Sequence, residues 1–357
     1  MATDSLPYAR ERRIAELAVQ RAAILTEAVY TSKIKGTLTK DDKSPVTLAD
    51  FGAQALVLAA LHASFPDDKI FGEEDSSDLR SNPELSGMVF KAITDALNSG
   101  ARGSGESAEL GTVTSEKDMM DYIDLGIHDN SAKGRVWALD PIDGTKGYLR
   151  GGQYAIALGL LVDGVVQVGV VGCPHLSAEE GGEEGVVVSA VRGQGAVVKQ
   201  LSADLEAVAS PKKLWMNQVS STTEASFCEG VEAGHSSHDV QAKIAAELGI
   251  SKPSVRMDSQ AKYVAISMGQ GEVYLRLPVK LDYEEKLWDH AAGSIIVQES
   301  GGVVVDMYGE TVDFTTGRTF KNNKGFISAP ISIADDVMKV IKPIAIEAYG
   351  KWARSSL

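Results

Sequence analysis

The chain has 357 residues, of which 44% are hydrophobic and 24% are charged. These proportions are ordinary for a globular protein and exclude a mainly disordered chain. The 35 Lys and Arg residues and the 49 Asp and Glu residues give a formal charge of −14, which argues against broad binding to nucleic acid or to an anionic membrane. No apolar run of the sequence reaches the ~18 residues that a membrane span needs.

The first half of the chain predicts helices followed by antiparallel strands. Residues 98–116 are rich in Gly and Ser and predict a surface loop. Asp163-Gly164 lies between two apolar runs and predicts the tight turn of a hairpin. In chain order, we predict helices over 14–28 and 47–64 and strands over 70–71, 136–139, 154–162, 165–172, 186–191 and 196–199.

The second half alternates helices and strands. We predict helices over 239–248, 261–268, 288–299 and 333–349 and strands over 273–277, 303–305 and 325–329. This mixture of helices, hairpins and strands predicts an α+β fold of helix and sheet layers rather than one doubly wound sheet.

The two cysteines, Cys173 and Cys228, are too few for a disulfide framework and are typical of a reducing compartment. The first residues also lack the apolar core of a signal peptide. We therefore predict an intracellular protein, located in the cytoplasm or in the nucleus.

Two carboxylates follow an apolar strand in the segment WALDPIDGT, residues 137–145. A turn at this place directs Asp140, Asp143 and the carbonyl of Ile142 towards one point, and Mg²⁺ prefers oxygen ligands of these kinds. Thr145 adds a hydroxyl beside them. An Asp-rich turn that only caps the next helix is the structural alternative.

Two further acidic segments strengthen the metal interpretation. Glu73 follows a predicted strand end in Gly-Glu-Glu, for which a solvated acidic turn is the alternative. Asp289 opens a predicted helix in LWDHAAG, residues 287–293. The structural alternative there is a favourable interaction of its carboxylate with the positive end of the helix dipole. Both roles are compatible for Asp289, because a helix start also fixes the direction of a carboxylate.

These three motifs, in this order, resemble the metal-binding motifs of the inositol monophosphatase-like superfamily of Mg²⁺-dependent, lithium-sensitive phosphatases, over about residues 10–345. Finer segments are similar to the fungal and plant 3'(2'),5'-bisphosphate nucleotidase family; they cover residues 44–50, 65–69, 146–150, 231–238, 258–263 and 274–278. The resemblance implies hydrolysis of 3'-phosphoadenosine 5'-phosphate to AMP and phosphate. It also implies action on the 5'-phosphosulfate and a role in sulfur assimilation and salt tolerance.

The resemblance further implies a layered αβαβα sandwich with the site between two lobes. An N-terminal lobe over residues 1–200 would carry most metal ligands, and a C-terminal lobe over residues 201–357 would carry the nucleotide-binding residues and one metal ligand. Members of this family are often monomeric, so we expect a monomer whose partners are a small nucleotide and the inhibitory ions Li⁺ and Na⁺.

In the family pattern, two Mg²⁺ ions share Asp140. One is also held by Glu73 and the carbonyl of Ile142, and the other by Asp143 and Asp289. A third, weaker ion near Glu73 is possible in this family.

The catalytic pair implied by the resemblance is Asp50 and Thr145. The Thr145 hydroxyl activates the attacking water, and it needs Asp50 to accept its hydrogen bond because a hydroxyl is no base by itself. The structural alternative for Asp50 is a helix cap close to Thr47, and a capped first turn would also hold Asp50 in place.

The substrate-binding residues implied by the resemblance are Thr145, His235, Ser259, Lys262, Arg276 and Asp289. We expect the 5'-phosphate to meet Lys262 or Arg276, away from the metal ions, since both side chains bind phosphate. The structural alternatives are a solvated helix face for Lys262 and an edge-strand charge for Arg276.

Two other functions remain open on the sequence. An inositol polyphosphate 1-phosphatase or inositol monophosphatase would use the same metal ligands, and the nucleotidase-like segments at 234–239 and 258–263 argue against it. A catalytically silent sensor of metal or nucleotide should have lost Thr145, Asp50 or a bridging carboxylate, and none is missing.

Overall fold

The structure is a computed structural model that describes residues 6–31, 37–39, 45–101, 109–128, 131–179, 181–205, 210–231 and 238–351, with only the backbone described at 37–39, 45–47 and 238–239. The helices are α1 (Ala9–Thr31), α2 (Leu48–Ser64), α3 (Ser77–Ser81), α4 (Pro83–Ala96), α5 (Glu116–Asp124), α6 (Thr145–Arg150), α7 (His238–Leu248), α8 (Ala261–Ser267), α9 (Ala291–Glu299) and α10 (Ala334–Tyr349). The strands are β1 (Thr37–Thr39), β2 (Pro45–Thr47), β3 (Lys69–Gly72), β4 (Arg135–Asp143), β5 (Ala155–Val162), β6 (Val165–Ser177), β7 (Glu184–Val191), β8 (Gly195–Gln200), β9 (Lys212–Lys213), β10 (Phe227–Glu229), β11 (Val255–Arg256), β12 (Val273–Arg276), β13 (Gly302–Val305) and β14 (Phe326–Pro330).

Two large sheets organise the described residues. The first has seven strands in the order β3-β4-β5-β6-β7-β8-β9, and the second has five in the order β11-β10-β12-β14-β13. In the first sheet β3 pairs parallel with β4 and the remaining pairs are antiparallel. In the second sheet β10 is parallel to both of its neighbours, while β14 is antiparallel to both of its own. The separate strands β1 and β2 pair antiparallel.

Three hydrophobic clusters among the described residues separate five layers. The first cluster joins α1 and α2 to one face of the seven-stranded sheet, the second joins its other face through α8 and α9 to the five-stranded sheet, and the third joins that sheet to α7 and α10. Adjacent residues of β5 show the alternation, because Leu158 belongs to the first cluster and Ala157 to the second. The predicted αβαβα layering is confirmed.

Local sequence signals account for several of these elements. The predicted hairpin turn is confirmed, with φ of 49° at Asp163 and 75° at Gly164 between β5 and β6. Helix α4 was not predicted, although Asn82 caps it by accepting a hydrogen bond from the Leu85 amide at 3.1 Å. Pro83, which suits the first turn of a helix, follows that cap.

The predicted surface loop over 98–116 needs correction at both ends. Its first residues belong to a wide helical turn over Leu97–Ala101, and Ser115 caps α5 by accepting a hydrogen bond from the Asp118 amide at 3.0 Å. Residues 102–108 of that loop lie outside the described residues. Among the residues that the structure describes, no helix is both long and apolar enough to cross a membrane.

The far edge of the seven-stranded sheet ends in a very short strand. β9 has two residues, Lys212 and Lys213, both exposed, and it pairs with β8. Lys212 forms an ion pair with Glu179 at 3.1 Å, and the Lys213 ammonium lies 4.9 Å from the ring centre of Trp215. The last strand of the sheet thus presents two exposed lysines, one of them paired with an acidic residue.

Candidate active site

Two neighbouring parallel strands deliver the first carboxylates. β3 and β4 run side by side with Gly72 opposite Leu139, so Glu73 and Asp140 follow at the same edge of the sheet. β4 is longer than predicted and continues to Asp143. Its pairing with β5 shifts by one residue between Asp140, opposite Ala157, and Asp143, opposite Ala155, so β4 carries one extra residue between the two carboxylates.

The Asp140 carboxyl is a buried polar group of the site. It is 2% exposed, and its Oδ1 is buried without a hydrogen-bond partner among the residues that the structure describes. Burial raises the pKa of Asp140 well above its usual range. Further carboxylates raise it more, in decreasing order Glu73, Asp143, Asp289 and Asp50. The structure therefore gathers the predicted acidic residues around Asp140.

This environment fits a divalent cation. A buried carboxylate oxygen that lies among like charges, with no hydrogen-bond partner in the described part of the chain, is costly, and Mg²⁺ takes oxygen ligands of this kind. The carboxylates are not drawn to a single point, however. Among the described residues, Glu285, Asp289 and His290 form a compact group, with candidate ligand atoms within 4.8 Å of one another. The ligand atoms of Asp140, Asp143 and Asp289 do not meet that distance.

Asp289 lies on a short turn, not on the helix that the sequence predicted. A single 3₁₀ turn covers Leu287–Asp289, and α9 begins only at Ala291. Burial raises the pKa of Asp289, the charge of Asp143 raises it further, and the charge of Arg276 opposes that rise. The predicted helix start at residue 288 is therefore wrong by three residues. The Asp289 carboxylate still belongs to the group of acidic residues around Asp140, called the carboxylate cluster below.

Gln260 connects the two halves of the site. Its amide donates to Asp143 Oδ2 at 2.7 Å, and its side-chain Nε2 donates to the Trp288 carbonyl at 2.8 Å. Its Oε1 accepts a hydrogen bond from the Gly293 amide at 3.1 Å. One side chain and its own amide thus connect the end of β4 to the turn that carries Asp289.

The start of α6 packs directly on the segment before α8. Gly144 has φ of 89°, a left-handed conformation that glycine tolerates, and a Cβ at this residue would lie 3.0 Å from the Ser259 Cβ. Ser259 itself has φ of 67°. The Thr145 hydroxyl donates to the Ile142 carbonyl at 3.2 Å. Thr145 and Ser259 therefore border the same junction.

Asp50 lies in the first turn of α2 and is buried. Its negative charge raises the pKa of both Asp140 and Tyr148, so it acts electrostatically on the carboxylate cluster and on α6. The relay from Thr145 to Asp50 stays a prediction.

Lys262 is a buried cation with its own acceptors. Its Nζ donates to the carbonyls of Ser259 at 2.8 Å and Met257 at 3.3 Å, and it lies 5.5 Å from the ring centre of Tyr274. Burial lowers the pKa of Lys262, and the charge of Asp143 opposes that shift. The solvated helix face considered for Lys262 is therefore wrong.

Arg276 is closer to the acidic cluster than predicted. Its Nη2 lies 2.7 Å from Glu285 Oε2 and 3.8 Å from Asp289 Oδ2, so the expectation that it lies away from the metal carboxylates is wrong. Burial raises the pKa of Glu285, but the charges and hydrogen bonds of Arg276 and His290 together outweigh burial and hold that pKa far below its usual range. Glu285 was not among the predicted site residues, and its only signal in the sequence is the acidic pair at 284–285.

His290 completes the buried group around Glu285. Its Nδ1 lies 2.8 Å from the Tyr263 hydroxyl, and its Nε2 lies 3.6 Å from Glu285 Oε2. Burial lowers the pKa of His290 to about 4. His235, the remaining predicted substrate-binding residue, lies outside the described residues.

Comparisons with known proteins agree over most of the chain. A model of the inositol monophosphatase family matches residues 10–342. The curated 3'(2'),5'-bisphosphate nucleotidase of Emericella nidulans is 51% identical over 95% of this chain and 99% of its own length. The 3'(2'),5'-bisphosphate nucleotidase of Oryza sativa is 40% identical over 94% of each chain. The solved Thermotoga maritima IMPase TM1415 matches at a TM-score of 0.59 and 21% identity, over 92% of this chain and 96% of that chain. This chain therefore belongs to the inositol monophosphatase family, alongside its fungal and plant 3'(2'),5'-bisphosphate nucleotidases.

Proposed function

We propose that the chain is a metal-dependent phosphomonoesterase that removes the 3'-phosphate of 3'-phosphoadenosine 5'-phosphate and releases AMP. The observation that carries this proposal is the buried carboxylate cluster around Asp140, one of whose oxygens has no hydrogen-bond partner among the described residues. The names of the curated fungal and plant relatives support a bisphosphate nucleotide as the substrate.

The residues that would hold Mg²⁺ are those of the cluster. Glu73, Asp140 and the Ile142 carbonyl would form one position, and Asp140, Asp143 and Asp289 a second, with a third and weaker position near Glu73. When bound, the ions supply positive charge to the phosphate oxygens during displacement.

Thr145 and Asp50 would handle the proton of the attacking water. Thr145 Oγ accepts that proton as its own passes to the Asp50 carboxylate, which requires the hydroxyl to turn away from the Ile142 carbonyl. Asp50 is buried close to the cluster, so its carboxylate is shielded from bulk water.

Lys262, Ser259 and Arg276 would bind the nucleotide, with His235, Thr145 and Asp289 completing the contacts. Lys262 is held rigidly by two carbonyls, so its charge is in place before substrate arrives. A phosphosulfate with the same 3'-phosphate is the second expected substrate, which would connect the enzyme to sulfur assimilation. Inhibition by Li⁺ and Na⁺, and a role in salt tolerance, are part of the same proposal.

The test is phosphate release from 3'-phosphoadenosine 5'-phosphate, with and without Mg²⁺, beside inositol 1-phosphate and inositol 1,4-bisphosphate. We expect Mg²⁺-dependent release from the nucleotide and much slower release from both inositol phosphates, with inhibition by Li⁺. Faster turnover of an inositol phosphate would reject the nucleotidase and retain the phosphatase. A folded protein that hydrolyses none of them would support the silent sensor.

The lobe boundary near residue 200, the monomeric state and the cytoplasmic or nuclear location stay predictions. Sedimentation of the purified chain would test the monomer directly.

A further inference from the structure

Arg318 lies in the connection between β13 and β14 and reaches across to the other sheet. Its Nη2 donates to the Gly72 carbonyl at 2.6 Å, and its Nη1 donates to the Gly126 carbonyl at 2.8 Å. The guanidinium carbon lies 4.7 Å from the ring centre of Trp288 and 5.6 Å from that of Phe71. A single planar cation therefore contacts elements from both halves of the molecule.

The backbone around Arg318 is fastened to the same turn as its side chain. The Arg318 carbonyl accepts a hydrogen bond from the Leu287 amide at 2.9 Å. The next residue, Thr319, forms an antiparallel bridge with Lys286. Arg318 is thus fixed to the Leu287–Asp289 turn by its main chain as well as by its stacking on the Trp288 ring.

The two segments that Arg318 connects each lie next to a carboxylate of the cluster. Gly72 directly precedes Glu73, and Trp288 directly precedes Asp289. Gln54 holds the other side of the first segment, since its Nε2 donates to the Glu74 carbonyl at 2.6 Å and its Oε1 accepts from the Glu74 amide at 3.0 Å. The backbone on both sides of Glu73 is therefore fixed, and on one side it is fixed to the Asp289 turn.

The charge of Arg318 also faces the cluster. Burial lowers the pKa of Arg318, and the negative charge of Glu73 opposes that shift. An arginine keeps its charge at any ordinary pH, so this cation stands permanently beside an excess of carboxylates. Its five donors form a rigid planar fork, which a lysine cannot reproduce at two carbonyls and two rings.

From this geometry we infer that Arg318 is a positioning residue that fixes the separation of Glu73 and Asp289 and thereby sets the affinity of the site for divalent cations. This inference rests on the proposed function, because the separation matters only if both carboxylates bind metal. Residues that orient metal ligands typically change metal affinity by about 10- to 100-fold when replaced.

Arg135 offers a matched control. It is also a half-buried arginine, with Nε 2.8 Å and Nη2 3.0 Å from the two oxygens of Asp68 and its guanidinium carbon 5.6 Å from the ring centre of Phe65. It begins β4, five residues before Asp140, a distance of about 16 Å along a strand. Arg135→Lys should therefore weaken packing comparably without touching the ligands.

The experiment is Mn²⁺ binding by electron paramagnetic resonance on the whole protein, without substrate, together with the melting temperature in chelator. We expect Arg318→Lys, which keeps the charge, to weaken Mn²⁺ binding by about 10-fold, and Arg318→Met by up to about 100-fold. Arg135→Lys should bind Mn²⁺ within about twofold of the parent chain. The Mg²⁺ concentration for half-maximal activity should rise in Arg318→Lys, while kcat at saturating Mg²⁺ should largely recover.

The outcomes separate the two proposals. Parental Mn²⁺ affinity in a folded Arg318→Lys protein with a lowered melting temperature would show a purely structural role and overturn the inference. Equal weakening by Arg135→Lys would overturn it as well. If the parent chain itself bound no Mn²⁺ at millimolar concentration, the proposed function would fail, and the inference with it. Should Arg318→Met fail to fold, Arg318→Lys alone decides.

Discussion

The acidic and the basic residues of the site are buried in very different ways. Asp140 has an unpartnered oxygen, and the carboxylates around it raise its pKa. Lys262 has two carbonyl acceptors, and Arg276 has Glu285 at 2.7 Å. The acidic cluster thus keeps an excess of negative charge that a bound cation would balance. The basic residues, in contrast, already have hydrogen-bond or ion-pair partners within the chain.

We therefore expect the two regions to bind in different ways. The acidic cluster would bind a metal ion that balances its excess negative charge, whereas the basic residues would bind phosphate with cations that are already held in place. Buried ions without partners are costly, so the cluster has a strong drive to take up metal. Paired and hydrogen-bonded cations lose little freedom when a phosphate arrives, so they favour specificity. Three predictions would break or sharpen this comparison, and a fourth concerns an ion pair outside both regions.

The largest effect is expected at the pair Asp50 and Thr145. Thr145→Val keeps the branched shape but removes the hydroxyl, and Asp50→Asn keeps the size but removes the acceptor. If the two act as one relay, each change should lower kcat by about 10²- to 10⁴-fold, and the double variant should cost little more. Steady-state kinetics of the three variants test this. Costs that multiply fully would show that the residues act independently.

The next effect is expected at the centre of the acidic cluster. Asp140→Asn keeps the shape but removes one charge, so activity should fall by at least about 10²-fold. The same change should raise the melting temperature in chelator, because it removes one of several clustered like charges. Mg²⁺ should stabilise the parent chain more than the variant. Near-normal turnover in the folded variant would reject the metal assignment of Asp140.

A smaller effect is expected at the basic residues. Arg276→Ala would raise KM, but it would also leave Glu285 buried without its cation, so Arg276→Lys is the cleaner change. We expect KM for the bisphosphate to rise by about 10- to 150-fold with a smaller loss of kcat. The effect should largely vanish with 3'-AMP, which lacks the second phosphate.

Equal losses on both substrates would contradict a contact with the 5'-phosphate. They would instead assign Arg276 to the acidic cluster, where its Nη2 lies 3.8 Å from Asp289. Lithium inhibition offers a second readout, since it should change with substitutions at Asp143 or Asp289 and stay almost constant in Arg276→Lys.

The smallest effect is expected at an ion pair apart from both regions. His175 Nε2 lies 3.1 Å from Glu27 Oε1, and this contact raises the pKa of His175. The pair should therefore stabilise the fold fully below the unfolded histidine pKa of about 6.5, and lose that contribution as the pH rises through the raised folded value. His175→Gln should lower the free energy of unfolding by about 1 kcal/mol or less at pH 5.5. A loss that grew with pH would contradict this.

Signals that lie within a few residues were predictable from the sequence. The Asp163-Gly164 turn and the carboxylates after the β4 apolar run needed no distant partner to be recognised. The Asn82-Pro83 start of α4 is an equally local signal, although α4 was not predicted. These features follow from backbone preferences that depend only on neighbouring residues in the sequence.

Features that depend on distant pairing were not predictable. Glu284 and Glu285 are chemically identical neighbours, yet Glu284 binds Thr319 while Glu285 is buried against Arg276. The bridge between Lys286 and Thr319 fixes which of them points inward, and nothing nearby in sequence encodes it. The proximity of Arg276 to Asp289 likewise arises only when β12 and the Leu287–Asp289 turn meet.

The two-lysine strand at the edge of the seven-stranded sheet affects how readily copies of the protein aggregate. An open strand edge is a template on which other chains can add strands and aggregate. β9 covers part of the β8 edge with Lys212 and Lys213, both exposed. Two such edges approaching each other would bring four lysines into contact, and their repulsion would discourage growth of the sheet from one molecule to the next. In a chain otherwise of net charge −14, this positive edge is a local safeguard against aggregation.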